Sequence, residues 1–128
     1  MHNAAKLQVR ARAFALVVAL HKAMFREAAR AGRVAPGLSG QMLRAAASIA
    51  TNIVEGADQP TAPQFARYLG IAIGSASETE HHLELAVALE LLVDDGPRLI
   101  AEVREIRMML YGLRKRVLAD AERASTPR

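Results

Sequence analysis

SIATNIVEG, Ser48 to Gly56, is the stretch on which the fold turns. Ile49 and Ile53 stand four residues apart, as on one face of a helix, and Met42 and Ala46 carry the same stripe back toward the helix start. Ser48 and Asn52, also four apart, make a polar stripe beside it, which Arg44 and Glu55 extend. Ser39 is placed to start this helix as an N-cap and Gly56 to end it as a C-cap. Such a helix buries its isoleucines against something, and its polar stripe needs hydrogen-bond partners nearby.

Three further helical segments surround it. From about Ala4 to Ala31, Leu7, Ala11, Phe14, Val18, His21, Phe25 and Ala28 alternate steps of four and three, a heptad-like seam expected to face the core. Val17, Leu20 and Met24 widen it, while Arg12, Ala15, Ala19, Lys22, Arg26 and Arg30 mark the opposite, basic face. GRVAPGLSG, Gly32 to Gly40, reads as a turn. Thr61-Ala62-Pro63-Gln64 has the spacing of a capping box, with proline in the first turn. The third helix is expected to run to about Val93, with Phe65, Leu69, Ala72, Ala76, Leu83, Val87 and Leu91 as its seam. Gly70 and Gly74 interrupt it. A mid-helix glycine costs about 0.5–1 kcal/mol relative to alanine, so the pair predicts close approach of another backbone. After the breaker Asp94-Asp95-Gly96-Pro97, the last helix carries Leu99, Val103, Ile106, Leu110, Leu113 and Val117 inward and Arg104, Arg107, Arg114, Lys115 and Arg116 outward.

Four helices with short connections make antiparallel neighbours. The expected fold class is all-α, an up-down-up-down four-helix bundle forming one domain over residues 1–123, with a flexible tail at 124–128. The first and third helices are apolar over more than one stripe, and the surplus points to burial of a second face in an oligomer.

The 128 residues suit one domain. Absence of cysteine excludes disulfide and thiolate chemistry and fits a reducing compartment. The longest apolar run, Ala13 to Leu20, is too short for a bilayer, which takes about 20 residues. Lys6, Arg10 and Arg12 before it mimic the start of a signal peptide, but the periodicity continues through His21, Lys22 and Phe25 without a small-residue cleavage site. A cytoplasmic protein that does not enter membranes is expected. Charge is divided: residues 1–50 hold eight Lys/Arg and one acid, residues 51–97 one Arg and eight acids, and residues 98–128 eight Lys/Arg and four acids. The basic ends are expected to pair with the acidic middle, within a subunit or between subunits.

Candidate chemistry is sparse. In SETEHHLE, Ser77 to Glu84, Glu78–His82 and Glu80–Glu84 have ligand-like spacing, yet the ExxH motif is incomplete and no second helix offers a matching set. No metal, cofactor or small-molecule substrate is inferred. Ser48, His21 and Glu55 could be assembled on paper into a triad, but no nucleophile elbow or oxyanion loop accompanies them. GRVAPGLSG lacks the Lys-Ser/Thr of a P-loop. A structural polar network of Arg44, Ser48, Asn52, Glu55, Arg67, Ser75 and Glu78 is expected instead. Ser48 and Asn52 would bond to the third helix around Ser75 and Glu78. Glu55 ends its helix and Arg67 begins the next; each opposes its own helix dipole, and together they would bridge. Lys22, Arg26, Arg30, Arg104, Arg107, Arg114, Lys115 and Arg116 are candidate nucleic-acid contacts. Aromatics for base stacking are few, so such binding would tolerate any sequence.

QMLRAAASIATNIVEG, Gln41 to Gly56, resembles the Q-x-x-R-A-A-x-S-I-x-x-N-I-x-E-G signature of the 23S ribosomal-RNA intervening-sequence proteins, also called the four-helix bundle protein family. Phe65-Ala66-Arg67-Tyr68-Leu69 and IAIGSASETE, Ile71 to Glu80, are similar to its F-x-R-F-L-x-I-A-x-G-S-x-x-E-x-E block, and Met109-Leu110 with Leu113 fits its closing helix. The chain departs from the pattern at Ala57-Asp58-Gln59-Pro60, where the family often has a basic element, and in an alanine-rich N-terminal segment where it often has aromatics. Both departures count against carrying nucleic-acid binding over. The resemblance implies a small cytosolic bacterial protein, a left-turning four-helix bundle that assembles as a homopentamer, without established enzymatic activity. Some members are encoded inside ribosomal-RNA genes. Related accessory proteins of diversity-generating retroelements form similar pentamers that engage a reverse transcriptase and nucleic acid. The expected function is a non-enzymatic, homo-oligomeric scaffold or adaptor; the alternative is a sequence-tolerant RNA- or DNA-binding accessory protein.

Overall fold

The computed structural model describes residues 2–31 and 36–125, with side chains described for 2–27 and 37–124. Four helices follow one another: α1 Asn3–Ala31, α2 Pro36–Ala57, α3 Ala62–Ala88 and α4 Gly96–Ser125. No strand occurs among the described residues. Each helix packs on its sequence neighbours, and α1 closes the ring onto α4. Contacts between neighbours run in opposite directions along the two chains. Ser48 meets Ser75 while Gly56 lies against Phe65 and Tyr68. Glu80 meets Arg104 while Ala66 meets Arg114, and Arg12 meets Glu102 while Arg26 meets Asp95. One pocket is lined by Asn3, Ala57, Ala62 and Val117, so the starts of α1 and α3 lie with the ends of α2 and α4. The molecule is an antiparallel, up-down-up-down four-helix bundle.

Three helices turn the stripes their spacing predicts inward, with Phe65, Val87 and Leu91 of the α3 stripe only partly buried. Met42, Ala46, Ile49 and Ile53 of α2, Leu69, Ala72, Ala76 and Leu83 of α3, and Leu99, Val103, Ile106, Leu110, Leu113 and Val117 of α4 are all buried. In α1 the expected seam faces the other way. Leu7, Phe14, Val18 and Phe25 are 56%, 67%, 39% and 81% exposed. Ala11 and His21 are exposed as well. The core takes Val9, Ala13, Leu16, Leu20 and Ala23 instead, followed by the buried Glu27. Both stripes step by four and three and differ only by an offset of two residues. Two residues turn a helix by about 200°, so the stripes lie on opposite faces and periodicity cannot choose between them.

The helix ends differ from expectation in instructive ways. The N-cap half of the expected capping box opens α3: Gln64 N–H donates to Thr61 Oγ1 at 3.3 Å, while Gln64 Oε1 accepts from the Thr61 hydroxyl at 2.8 Å in place of the Thr61 backbone N–H. In α2, Pro36 lies at the start, so Ser39 sits inside the helix rather than capping it, and Pro36–Gly40 is helical where a turn was expected. Gly32–Ala35 lie outside the described residues. Gly56 is not a C-cap, because α2 continues through it to Ala57. α4 reaches Ser125, into the segment read as tail.

Helix α3 stops at Ala88, five residues before the expected end. Glu90 N–H donates to Val87 O at 3.0 Å and Leu91 N–H to Ala86 O at 2.8 Å, the paired bonds of a Schellman motif. That motif needs a left-handed residue, and Glu90 supplies it with φ of 61°. The left-handed conformation costs a residue with a Cβ about 1–2 kcal/mol, which glycine avoids. Glu90→Gly is therefore expected to stabilise the protein by about 0.5–1 kcal/mol, read as a higher urea midpoint with unchanged m.

Candidate functional site

The polar stripe of α2 turns toward α3. Ser48 Oγ and Ser75 Oγ lie 2.8 Å apart and join the helices by one hydrogen bond. Asn52 does not reach α3: its Nδ2 donates to Ser48 O at 2.8 Å and Ser48 Oγ at 2.9 Å. Thr79, fully buried beside them, donates to Ser75 O at 2.8 Å. The expected network is thus smaller than its residue set. Arg44 is exposed and has no hydrogen bond or ion pair. Glu55 and Arg67 are both exposed and form no bridge. Each is more stable hydrated at the surface, since an exposed pair gains only about 0–1 kcal/mol and must immobilise two long side chains. Glu78 turns to its own helix, where Glu78 Oε1 lies 3.5 Å from His82 Nε2. No third potential metal ligand joins that pair among the described residues. A double-mutant cycle on Ser48→Ala and Ser75→Ala is expected to return a coupling of about 0.5–1 kcal/mol from urea denaturation.

Four of the eight expected basic contacts are already engaged. Arg26 Nη2 donates to Asp95 Oδ2 at 2.6 Å. Arg104 Nε donates to Glu80 Oε2 at 2.6 Å, and Arg107 bonds the same carboxylate. Arg114 Nε donates to Ala66 O at 3.2 Å. Arg30 has its side chain outside the described residues. Lys22, Lys115 and Arg116 are exposed and carry no ion pair among the described residues. Arg12, expected on the outer basic face, lies between α1 and α4 and donates to Glu102 Oε2 at 2.8 Å and Glu105 Oε1 at 2.9 Å. These bonds move the titrations. Burial pushes the Glu80 carboxyl up, but the hydrogen bonds from Arg104 and Arg107 outweigh it and hold the group below its ordinary value. The hydrogen bond from Arg26 lowers Asp95, and the one from Arg12 lowers Glu105. Of the eight acids in residues 51–97, Glu80, Glu84 and Asp95 pair with arginines within the molecule, while Glu55, Asp58 and Glu78 do not among the described residues.

Glu27 was given no role by its spacing, yet it ties α1 to the start of α4. Only 3% exposed, it accepts from Asp94 N–H at 3.0 Å on Oε1 and from Asp95 N–H at 3.3 Å on Oε2. A signal was present: Glu27 is the only acid among residues 1–50 and continues the Val9-to-Ala23 rhythm.

The remaining unsatisfied feature is the outside of α1. Leu7, Phe14, Val18 and Phe25 line the face opposite the core. Leu7 and Phe14 continue into grooves against α2 that include Val54 and Arg10. α1 thus carries two apolar stripes, of which the core of the chain covers one.

Residues 5–112 match the profile described as 23S rRNA-intervening sequence protein. The chain belongs to the 23S rRNA-intervening sequence protein family. A crystal structure at 1.70 Å of a protein of unknown function from the S23 ribosomal protein family of Bacteroides thetaiotaomicron is similar to it, with a TM-score of 0.78 and 24% identity. That similarity covers 87% of this chain and 98% of the other, and it concerns the fold. Among curated proteins, none matches. Gln41–Gly56 and the Phe65–Glu80 block, which carry the resemblance to the intervening-sequence proteins, both fall inside the matched span. In the structure they are α2 and most of α3, the pair joined by Ser48 and Ser75. No helix among the described residues is long and apolar enough to cross a membrane.

Proposed function

We propose that this protein is a non-enzymatic, homo-oligomeric scaffold or adaptor of the cytoplasm, pentameric as its family resemblance implies. The observation that carries the reading is the second apolar stripe of α1. Four large side chains in heptad-like order stand exposed on a helix whose other face is already in the core. Scattered exposed apolar residues need no explanation, but a continuous stripe marks a surface that is covered in use. The polar groups of the bundle support the same reading. Ser48, Asn52, Ser75 and Thr79 bond to one another between two helices, as structural groups do, and leave no nucleophile–base pair facing a cleft. Light scattering on the purified protein tests this. The expected mass is that of five 13.8 kDa chains, and a monomer at micromolar concentration would overturn the reading.

A second reading is sequence-tolerant binding of RNA or DNA. Lys115 and Arg116 on α4 and Lys22 on α1 favour it, since each is exposed without an ion-pair partner. It ranks second because Arg26, Arg104 and Arg107 would have to exchange a protein carboxylate for a phosphate. Phosphate binding weakens steeply with salt. Titration of a labelled RNA at low and rising salt should then show a steep loss of affinity, and no binding at low salt would dispose of this reading.

A further inference from the structure

We infer that the outward stripe of α1 in one copy docks on the outer face of α2 and α3 in a second copy, with the two chains standing the same way up. This rests on the oligomeric reading and adds which surfaces meet. Charge makes the choice. The stripe is flanked by Lys6, Arg10 and Lys22, none of which has an ion-pair partner. The one acid of α1, Glu27, is buried on the opposite side. Pairing α1 with another α1 would set these bases against each other. The outside of α4 repels them too, because Lys115 and Arg116 stand exposed there without an ion-pair partner among the described residues. The α2–α3 side carries more acid than base. Glu55 and Asp58 near the end of α2, and Glu78 on α3, are exposed without a Lys or Arg partner among the described residues, against the exposed Arg44 and Arg67. Between them α3 exposes Ile71 and Leu85, at 42% and 41%.

The two surfaces also agree in register. Asn3 and Ala62 open α1 and α3 at the same end of the bundle. Phe14 lies eleven residues after Asn3, and Ile71 nine after Ala62. Lys22 lies nineteen after Asn3, and Glu78 sixteen after Ala62. Phe25 lies twenty-two after Asn3, and Leu85 twenty-three after Ala62. At about 1.5 Å per residue, each pair falls within about one helical turn of the same height. Lys6 and Arg10 stand at the end where α2 finishes with Glu55 and Asp58.

This docking gives the α3 glycines a use. Gly70 and Gly74 were expected to admit a neighbouring backbone, but within the chain neither does. A Cβ on Gly74 would meet nothing within 4 Å, and one on Gly70 only Arg114 Nε at 3.6 Å. A flat spot beside Ile71 is where a large side chain such as Phe14 or Val18 of another copy can seat. Because two different faces meet, the contact is heterologous and propagates from copy to copy, as a ring does when it closes.

The chain has no cysteine, so single thiols report contacts cleanly. Phe14→Cys and Ile71→Cys, carried on chains with tags of different size, are co-expressed and treated with a short bismaleimide. The expected product is a mixed dimer of both tags. A Phe14→Cys homodimer would show that α1 pairs with α1 and overturn the assignment. An oligomer of undiminished mass with no mixed dimer would also overturn it while leaving the scaffold reading standing. A monomer by light scattering would remove both. Charge exchange gives a second readout. Lys22→Glu and Glu78→Lys should each lower the assembled fraction, and the double variant should restore it. Failure of that rescue in folded, helical protein would count against the Lys22–Glu78 alignment.

Discussion

Replacing Glu27 by alanine is expected to cost about 3 kcal/mol. Its carboxylate accepts from two consecutive backbone N–H groups, those of Asp94 and Asp95. Leu99 N–H donates to Asp95 O at 3.0 Å, so these donors stand at the first turn of α4, where the helix dipole favours a negative charge. Hydrogen bonds to a charged group contribute about 1.5–3 kcal/mol, and truncation would leave two partly buried N–H groups without this acceptor. Glu27→Gln keeps one acceptor and gives up the charge, so about half the loss is expected. Urea denaturation at fixed chain concentration reads both. If Glu27→Ala and Glu27→Gln were each within about 0.5 kcal/mol of the parent, the value expected for an ordinary surface substitution, the role assigned to this carboxylate would be wrong.

Gly56→Ala is expected to lose about 2 kcal/mol although it adds one methyl group and improves helix propensity. An added Cβ would lie 2.7 Å from Tyr68 Cβ, 3.0 Å from Phe65 Cδ1 and 3.4 Å from Phe65 O. The nearest atom is itself a Cβ, which no rotamer change moves, so α2 and α3 would have to separate. Overpacking of this kind costs about 1–3 kcal/mol, against a propensity gain of about 1 kcal/mol for replacing glycine in a helix. The contrast is Gly74→Ala, which meets nothing inside the chain and should stabilise the monomer. If Gly74→Ala instead lowers the assembled mass by light scattering, its place is in the contact between copies. A Gly56→Ala variant with a raised urea midpoint would mean that the helices can part at no cost.

Ser48–Gly56 follows its spacing at the isoleucines and departs from it at the glycine. Ile49 and Ile53 are in the core, and Ser48 bonds to Ser75 across the helix boundary. The position of the glycine was legible, but its reason was not. A C-cap requirement and a close-approach requirement both select glycine, and only the neighbour at Tyr68 distinguishes them. Glu55 and Arg67 illustrate a different gap. Their dipole preferences are properties of single helix ends, whereas a bridge depends on both side chains preferring each other to water.

The four helices, the N-cap at Thr61 and most of the buried stripes of α2, α3 and α4 were legible in the residue spacing. Those features depend on residues within one or two turns of each other, where periodicity and cap chemistry act. Packing between helices was needed to settle which of the two stripes of α1 enters the core, which arginines pair with Asp95 and Glu80, and that Glu27 closes the bundle at the start of α4. Two stripes offset by two residues have the same period, so α1 is symmetric to any local reading. Its neighbours break that symmetry: the acids Glu102 and Glu105 of α4 draw Arg12 to one side, the N-terminal end of α4 draws Glu27 inward, and Phe14 and Phe25 are left facing outward.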